Sequence, residues 1–237
     1  MRGISAGLMA TQMTGDVMSE TTKVWASNSV LKVKIMAPIR IMPSDRTQFD
    51  ETLEESSHWA SVQTDYFEAL IRDGGTLPKA LVGSKLDTRV NKISDFFIGA
   101  GFFIVSQRCA DVFMRFDLGH GGLSPVEIYQ GNRKSLAAPG PLYILHFGCQ
   151  KQAFVPEASN PAAFWTKITV RGGYERYRLS DVADDDYALA PKALEGPDLW
   201  VDLTVSGSFF MSNRLAKALT NVKLTKNMFL TRCRVIE

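Results

Sequence analysis

Three cysteines in 237 residues are few, and at positions 109, 149 and 233 they are far apart and odd in number. No disulfide framework and no CxxC metal knuckle can be drawn from them. Reduced, buried thiols are expected instead, as in a reducing compartment. Histidine is equally sparse: His58, His120 and His146 stand alone, without HxxxH or HExxH spacing. A surplus of one charge is missing too. Lys plus Arg total 27 against 25 Asp plus Glu, and a net +2 gives no basic footprint for a phosphate backbone. Nucleic acid is therefore not an expected partner. No apolar run approaches the ~18 residues that cross a bilayer, so no membrane partner is expected either. Near the start the longest unbroken apolar run is Leu8-Met9-Ala10, short of a secretory core of roughly 7–15 residues. The expectation is a cytoplasmic protein with a flexible tail over 1–22 and a single domain over 23–237. At 45% hydrophobic and 22% charged residues, the chain can bury a real core, as one large domain or two small intertwined lobes.

What is present is mostly patterning. "VLKVKIMAPIRIM" alternates apolar and polar residues and predicts one or two strands broken at Pro38. Trp59, Val62, Tyr66 and Leu70 recur at helical spacing behind Ser57, and "RDGGTLP" ends that pattern. A second helix is predicted over 87–98, with Val90, Ile93 and Phe97 on one side and "GAG" closing it. "LYILHF", "FWTKITV", "YERYRL" and "LWVDLTV" read as strands, separated by Pro- and Gly-containing turns.

The chain also repeats itself. "FFIVSQRCADVFMRFDL" (102–118) and "SFFMSNRLAKALTNVKL" (208–224) align at a shift of 106. Ser106/Ser212, Arg108/Arg214, Ala110/Ala216 and Leu118/Leu224 are identical pairs. Cys109/Leu215, Val112/Ala218, Phe113/Leu219 and Phe116/Val222 keep apolar character at i, i+3, i+4 and i+7, the stripe of a helix packed on a sheet. Each serine stands where an N-cap belongs, worth about 1 kcal/mol. Downstream, "PVEIY" and "TRCRV" alternate alike, with Val126 and Ile128 matching Cys233 and Val235. Each unit, near 102–129 and 209–236, thus reads as strand, capped helix, loop, strand. The predicted class is α+β: a mixed or antiparallel sheet with packed helices, built from two related strand–helix–strand units. Arg108 and Arg214 break a rule, because the helix dipole disfavours cations in the first turn. Either a salt bridge ties helix to sheet there, or the arginines serve an anion or partner.

Reactive chemistry is harder to find. Folding could pair His120 with Cys109 or Cys149, yet Cys109 belongs to an apolar helical stripe. "LGHGG" follows a helix and lacks the P-loop pattern, so it reads as a glycine C-cap. No catalytic, cofactor-binding or metal-ligating residue is assigned. Asp181, Asp184, Asp185 and Asp186 could hold a divalent cation, but they lack the spacing, central glycine and terminal glutamate of a calcium loop. They read as a solvated loop or as a contact surface for a basic partner, with Tyr187 as an aromatic anchor.

The repeated residues resemble an immunity-protein family of bacterial polymorphic toxin systems, the myxobacterial type once catalogued as a domain of unknown function. The likeness lies in "FFIVSQRCADVF", "FFMSNRLAKAL" and the ending "VKLTKNMFLTRCRV", with "ISDFFIGAGFFIVS", "GPLYILHF" and "DYALAPKALEGPDLWVDL" as intervening regions. It covers about residues 75–237, and 28–74 more loosely. The family's acidic residue after the motif serine is Gln107 here and Asn213 in the second copy. The resemblance implies a noncatalytic cytoplasmic antidote that binds a cognate protein toxin, with no cofactor. Two competing readings stay open: an enzyme of unrecognised type using Asp181–Asp186, and an adaptor in a secretion assembly.

Overall fold

The computed structural model describes residues 23–29, 32–41, 77–91, 93–169 and 175–237. In chain order the first strands are β1 (Val24–Ser27), β2 (Met36–Ala37), β3 (Ile39–Ile41), β4 (Ala80–Gly83), β5 (Phe96–Gly99) and β6 (Phe102–Ser106). Helix α1 (Gln107–Phe113) follows, then β7 (Gly122–Tyr129) and β8 (Leu142–His146). The remaining elements are β9 (Gln150–Lys151), β10 (Phe164–Thr169), β11 (Glu175–Leu179), β12 (Ala188–Leu189), β13 (Leu199–Asp202), β14 (Val205–Ser206), β15 (Phe209–Ser212), helix α2 (Asn213–Asn221) and β16 (Leu230–Val235). No helix among the described residues is long and apolar enough to cross a membrane.

Three sheets carry the fold. One runs β2-β5-β6-β8-β7-β4-β3, the second β12-β16-β1-β15-β13-β9, and a small third β10-β11-β14. The two large sheets are the same construction. From β2 to β4 the first sheet has one parallel pair, three antiparallel pairs and a final parallel pair. From β9 to β12 the second repeats that series. Register agrees residue by residue: Phe96↔Val105 and Ile98↔Phe103 correspond to Leu199↔Met211 and Val201↔Phe209. The repeat read from the sequence is therefore a duplication of a whole sheet with its helix.

Chain order adds an exchange. The counterpart of β8 is β1, paired between β15 and β16 as β8 is between β6 and β7. Written as two units, β1 to β7 and β8 to β16, each unit begins with a strand that completes the other unit's sheet. The halves are interlocked in the manner of a domain-swapped dimer fused into one chain.

The faces of the sheets make three cores. Alternation sends Phe96, Phe103, Val105, Leu199, Phe209 and Met211 to a shared core, together with the buried sides of α1 and α2. The equivalent rings Phe103 and Phe209 meet edge to face there at 5.3 Å, where the two halves abut. Residues of opposite parity point outward: Phe97 and Ile104 with Val126 and Ile128 in one half, and Trp200 and Phe210 with Cys233 in the other. The third sheet covers this last face with Phe164, Tyr177 and Leu179.

The α+β class expected from the sequence is corrected here. The structure is mostly β, 39% strand against 18% helical, and the only α-helices among the described residues are α1 and α2. The helix predicted over 87–98 is absent. Phe96–Gly99 is strand, with Phe96 and Ile98 facing the shared core and Phe97 the outer one. A strand buried on both faces shows no period of two, and Val90 and Ile93, in the irregular segment before it, fell by chance at helical spacing from Phe97. "LWVDLTV" is broken at Leu203–Thr204 into β13 and β14. There the buried Asp202 carboxylate accepts the amides of Ala153, Phe154 and Thr204. The expected tail over 1–22 and the stripe Trp59, Val62, Tyr66 and Leu70 lie outside the described residues. The break at Pro38 is present, although the strand before it is only Met36–Ala37 behind a 3-10 turn at Val33–Ile35; the three remaining predicted strands and the two serine-started helices are present.

Candidate functional site

Each repeated serine closes a small polar station at the junction of strand and helix. Ser212 has extended backbone, and its Oγ accepts the Leu215 amide at 3.3 Å, as an N-cap does. The same hydroxyl donates to Asp198 Oδ1 at 2.5 Å, and Arg214 donates to both carboxylate oxygens of Asp198 at 2.5 and 2.7 Å. In the first half Ser106 Oγ accepts the Cys109 amide, donates to Asp95 Oδ1 at 2.6 Å, and Arg108 reaches Asp95 Oδ2 at 3.2 Å. The backbone follows the same plan, since the Ser106 and Ser212 amides donate to the Asp95 and Asp198 carbonyls. Of the two readings left open for the first-turn arginines, the salt bridge to the neighbouring strand is the one observed. The carboxylate beside each arginine offsets the unfavourable helix dipole.

A fourth member comes from the exchanged strand. Tyr143 of β8 donates its hydroxyl to Gln107 Oε1 at 2.6 Å, and Trp25 of β1 donates its indole N–H to Asn213 Oδ1 at 2.9 Å. Gln107 and Asn213 are the positions where the resembled family carries an acid. Their amide oxygens accept from an aromatic donor in the equivalent place of each half. The stations differ in depth. Asp198 is 1% exposed and also takes the Asp117 amide at 3.1 Å, whereas Asp95 is 35% exposed. Lys23, Arg214 and Lys217 border an open cleft of about 580 Å³ beside Asp198. Each serine hydroxyl is engaged twice, donating its proton to a carboxylate and accepting a backbone amide. The stations fasten a helix to its own hairpin and to the strand from the other half.

The acidic cluster does not act as one group. Asp185 pairs with the Arg232 guanidinium, which holds its carboxyl below the usual range. Asp184 accepts the Arg232 amide at 2.9 Å, Asp186 accepts from Asn160 and from the Ala183 amide, and Asp181 pairs with Lys32. Among the described residues no three His, Cys, Asp or Glu side chains converge as metal ligands would. Tyr187 is corrected as a contact candidate: it is fully buried, so its ring cannot meet a partner. Its hydroxyl donates to the Ser180 carbonyl and accepts from Asn28, and burial pushes its ionisation upward.

Cys109 and His120 stay apart, whereas the segments of Cys149 and His120 lie side by side through the bridge between Gly119 and Gly148. Cys109 is buried in the shared core, where desolvation pushes its pKa up to about 12, while His120 is exposed on the loop after α1. Cys233 is raised by the same cause. His146, pushed down by burial, borders a groove of about 830 Å³ with Leu142, Val126 and Lys79, and its buried Nδ1 has no partner among the described residues. His58 lies outside the described residues.

Sequence reasoning found both serines and both arginines but missed Asp95 and Asp198. The available signal was a lone aspartate directly ahead of an apolar strand in both halves, "DFF" and "DLW". It also missed the outer side of the third sheet, where Trp165 is 58% exposed with the Arg178 guanidinium over its ring at 5.5 Å. No protein-family model matches the chain, and no curated protein matches it significantly, so its function is argued from geometry and residue chemistry.

Proposed function

We propose that the protein is a noncatalytic immunity protein that neutralises a cognate bacterial toxin in the cytoplasm by covering its surface. One observation supports this reading above the others. Residues that carry the resemblance build the same station twice, and its serines, arginines and aspartates, with Tyr143 and Trp25, hold strand, helix and exchanged strand together. Such a scaffold is rigid and presents side chains on its surface. Occlusion requires no more than that, together with a complementary patch of roughly 800 Å² per partner. A rigid scaffold also avoids the ordering cost that weakens flexible binders.

The test is genetic. The toxin domain encoded beside this protein is expressed from an inducible promoter, with and without the protein. Restored growth, with the two proteins purifying as one complex, is the expected result. Growth arrest that persists at full co-expression removes the proposal.

A further inference from the structure

Among the described residues the small third sheet belongs to one half of the molecule only. The duplicated plan accounts for β2-β5-β6-β8-β7-β4 and β9-β13-β15-β1-β16-β12, whereas β10-β11-β14 lies outside it. Its inner side is used as cover, with Phe164, Tyr177 and Leu179 packed on Phe154 and the adjoining core. Its outer side is another matter. Trp165 on β10 is 58% exposed, and its register partner on β11 is Arg178, whose guanidinium lies over the indole. Arg176 falls on the same side of β11 by alternation. Leu203, 43% exposed, precedes Thr204, whose carbonyl accepts the Tyr177 amide at the edge of this sheet. Arg176 and Arg178 thus give this side of β11 two cations beside the indole.

An exposed indole with a guanidinium over its ring offers an apolar face and a cation in one place. Tryptophan and arginine are also the residues in which binding energy most often concentrates. We propose that the outer side of the β10–β11 pair is the surface through which this protein docks an acidic patch on a protein partner. The proposal rests on the antidote reading and names the face that reading needs. Charge decides the partner's character: carboxylates complement the arginines, while the indole supplies a desolvated anchor. A protein is favoured over a nucleic acid because, among the described residues, this side presents a single exposed aromatic. Single strands are held by stacking successive bases on several aromatics along a basic groove. The acidic cluster 181–186 is a poorer docking face, since Lys32 and Arg232 already pair with three of its carboxylates.

The experiment compares the full chain with Trp165→Ala and Arg178→Glu. The second variant reverses charge without removing an aromatic ring and serves should the first fold poorly. Binding of a fluorescein-labelled polyglutamate peptide is read by anisotropy at low and physiological salt, beside a single-stranded oligonucleotide of equal charge. Expected are salt-sensitive peptide binding by the wild type, at least tenfold weaker binding in Arg178→Glu, and weaker binding of the oligonucleotide. No peptide binding by the wild type, equal binding by Arg178→Glu, or a preference for the oligonucleotide overturns the proposal. In growth rescue, undiminished protection by Arg178→Glu overturns this surface and leaves the antidote reading intact. Failure of the wild type to protect removes that reading, and the peptide arm still judges the face.

Discussion

Asp198 and Asp95 occupy equivalent positions, and replacing each with alanine gives a test with an internal control. Asp198, 1% exposed, accepts four hydrogen bonds: one from Ser212, two from Arg214 and one from the Asp117 amide. Hydrogen bonds to a charged group are worth about 1.5–3 kcal/mol each when desolvated. The Arg214 side chain is 69% exposed, so its share is discounted to well under 1 kcal/mol per bond. Ser212 and the Asp117 amide then dominate, and Asp198→Ala is expected to cost about 3–4 kcal/mol. Asp95, 35% exposed, accepts one bond from Ser106 and one from an arginine that is itself 67% exposed. Asp95→Ala is expected to cost about 1 kcal/mol. Urea denaturation followed by tryptophan fluorescence and by circular dichroism measures both. Equal costs, or a larger cost at Asp95, would refute the claim that depth of burial sets the strength of the two stations.

Three further outcomes follow from the same geometry. Cutting the chain between Pro139 and Gly140, where a side chain would meet nothing within 4 Å, separates the interlocked units. Fragments 1–139 and 140–237 should each lack cooperative unfolding and regain it when mixed; a fragment that folds alone would count against the exchange. Burial holds His146 below the ordinary imidazole value of 6.5. The unfolded chain therefore binds its proton first as pH falls, so the stability from neutral His146 is complete above pH 6.5 and declines below it; His146→Gln should flatten that slope in a denaturation series. Cys109 and Cys233 are buried and raised by desolvation, whereas Cys149 is half-buried. Ellman's reagent at pH 8 should titrate Cys149 first, and rapid labelling of all three would show a looser core.

Much of the scaffold could be read from residues close together in sequence. Ser106 and Ser212 are legible as caps because the cap, the helix stripe and the feeding strand all fall within a dozen positions. The partners of their arginines were not legible, because Asp95 and Asp198 stand at different separations from the serines in the two halves and a fixed shift does not align them. The strand exchange was hidden for a related reason: β1 pairs with β15 and β16 near the other end of the chain, and pairing register over such a distance leaves no local pattern. Phe96–Gly99 misled because burial on both faces erases the alternation that marks a strand. Asp181–Asp186 attracted attention as a charge run, yet its cations, Lys32 and Arg232, come from distant segments. Trp165 looked like one more apolar residue in a strand, and only the three-dimensional arrangement shows which side of the sheet it occupies.

The account depends most on neutralisation by covering the toxin, not by turnover. Titrating the purified protein into a fixed amount of the purified toxin domain, and assaying the toxin's residual activity at each step, tests that directly. Activity should fall in proportion to the protein added and vanish near one equivalent, and dissociating the complex should return fully active toxin. Complete inactivation by a small fraction of an equivalent, or toxin that stays inactive after the two are separated, would contradict it.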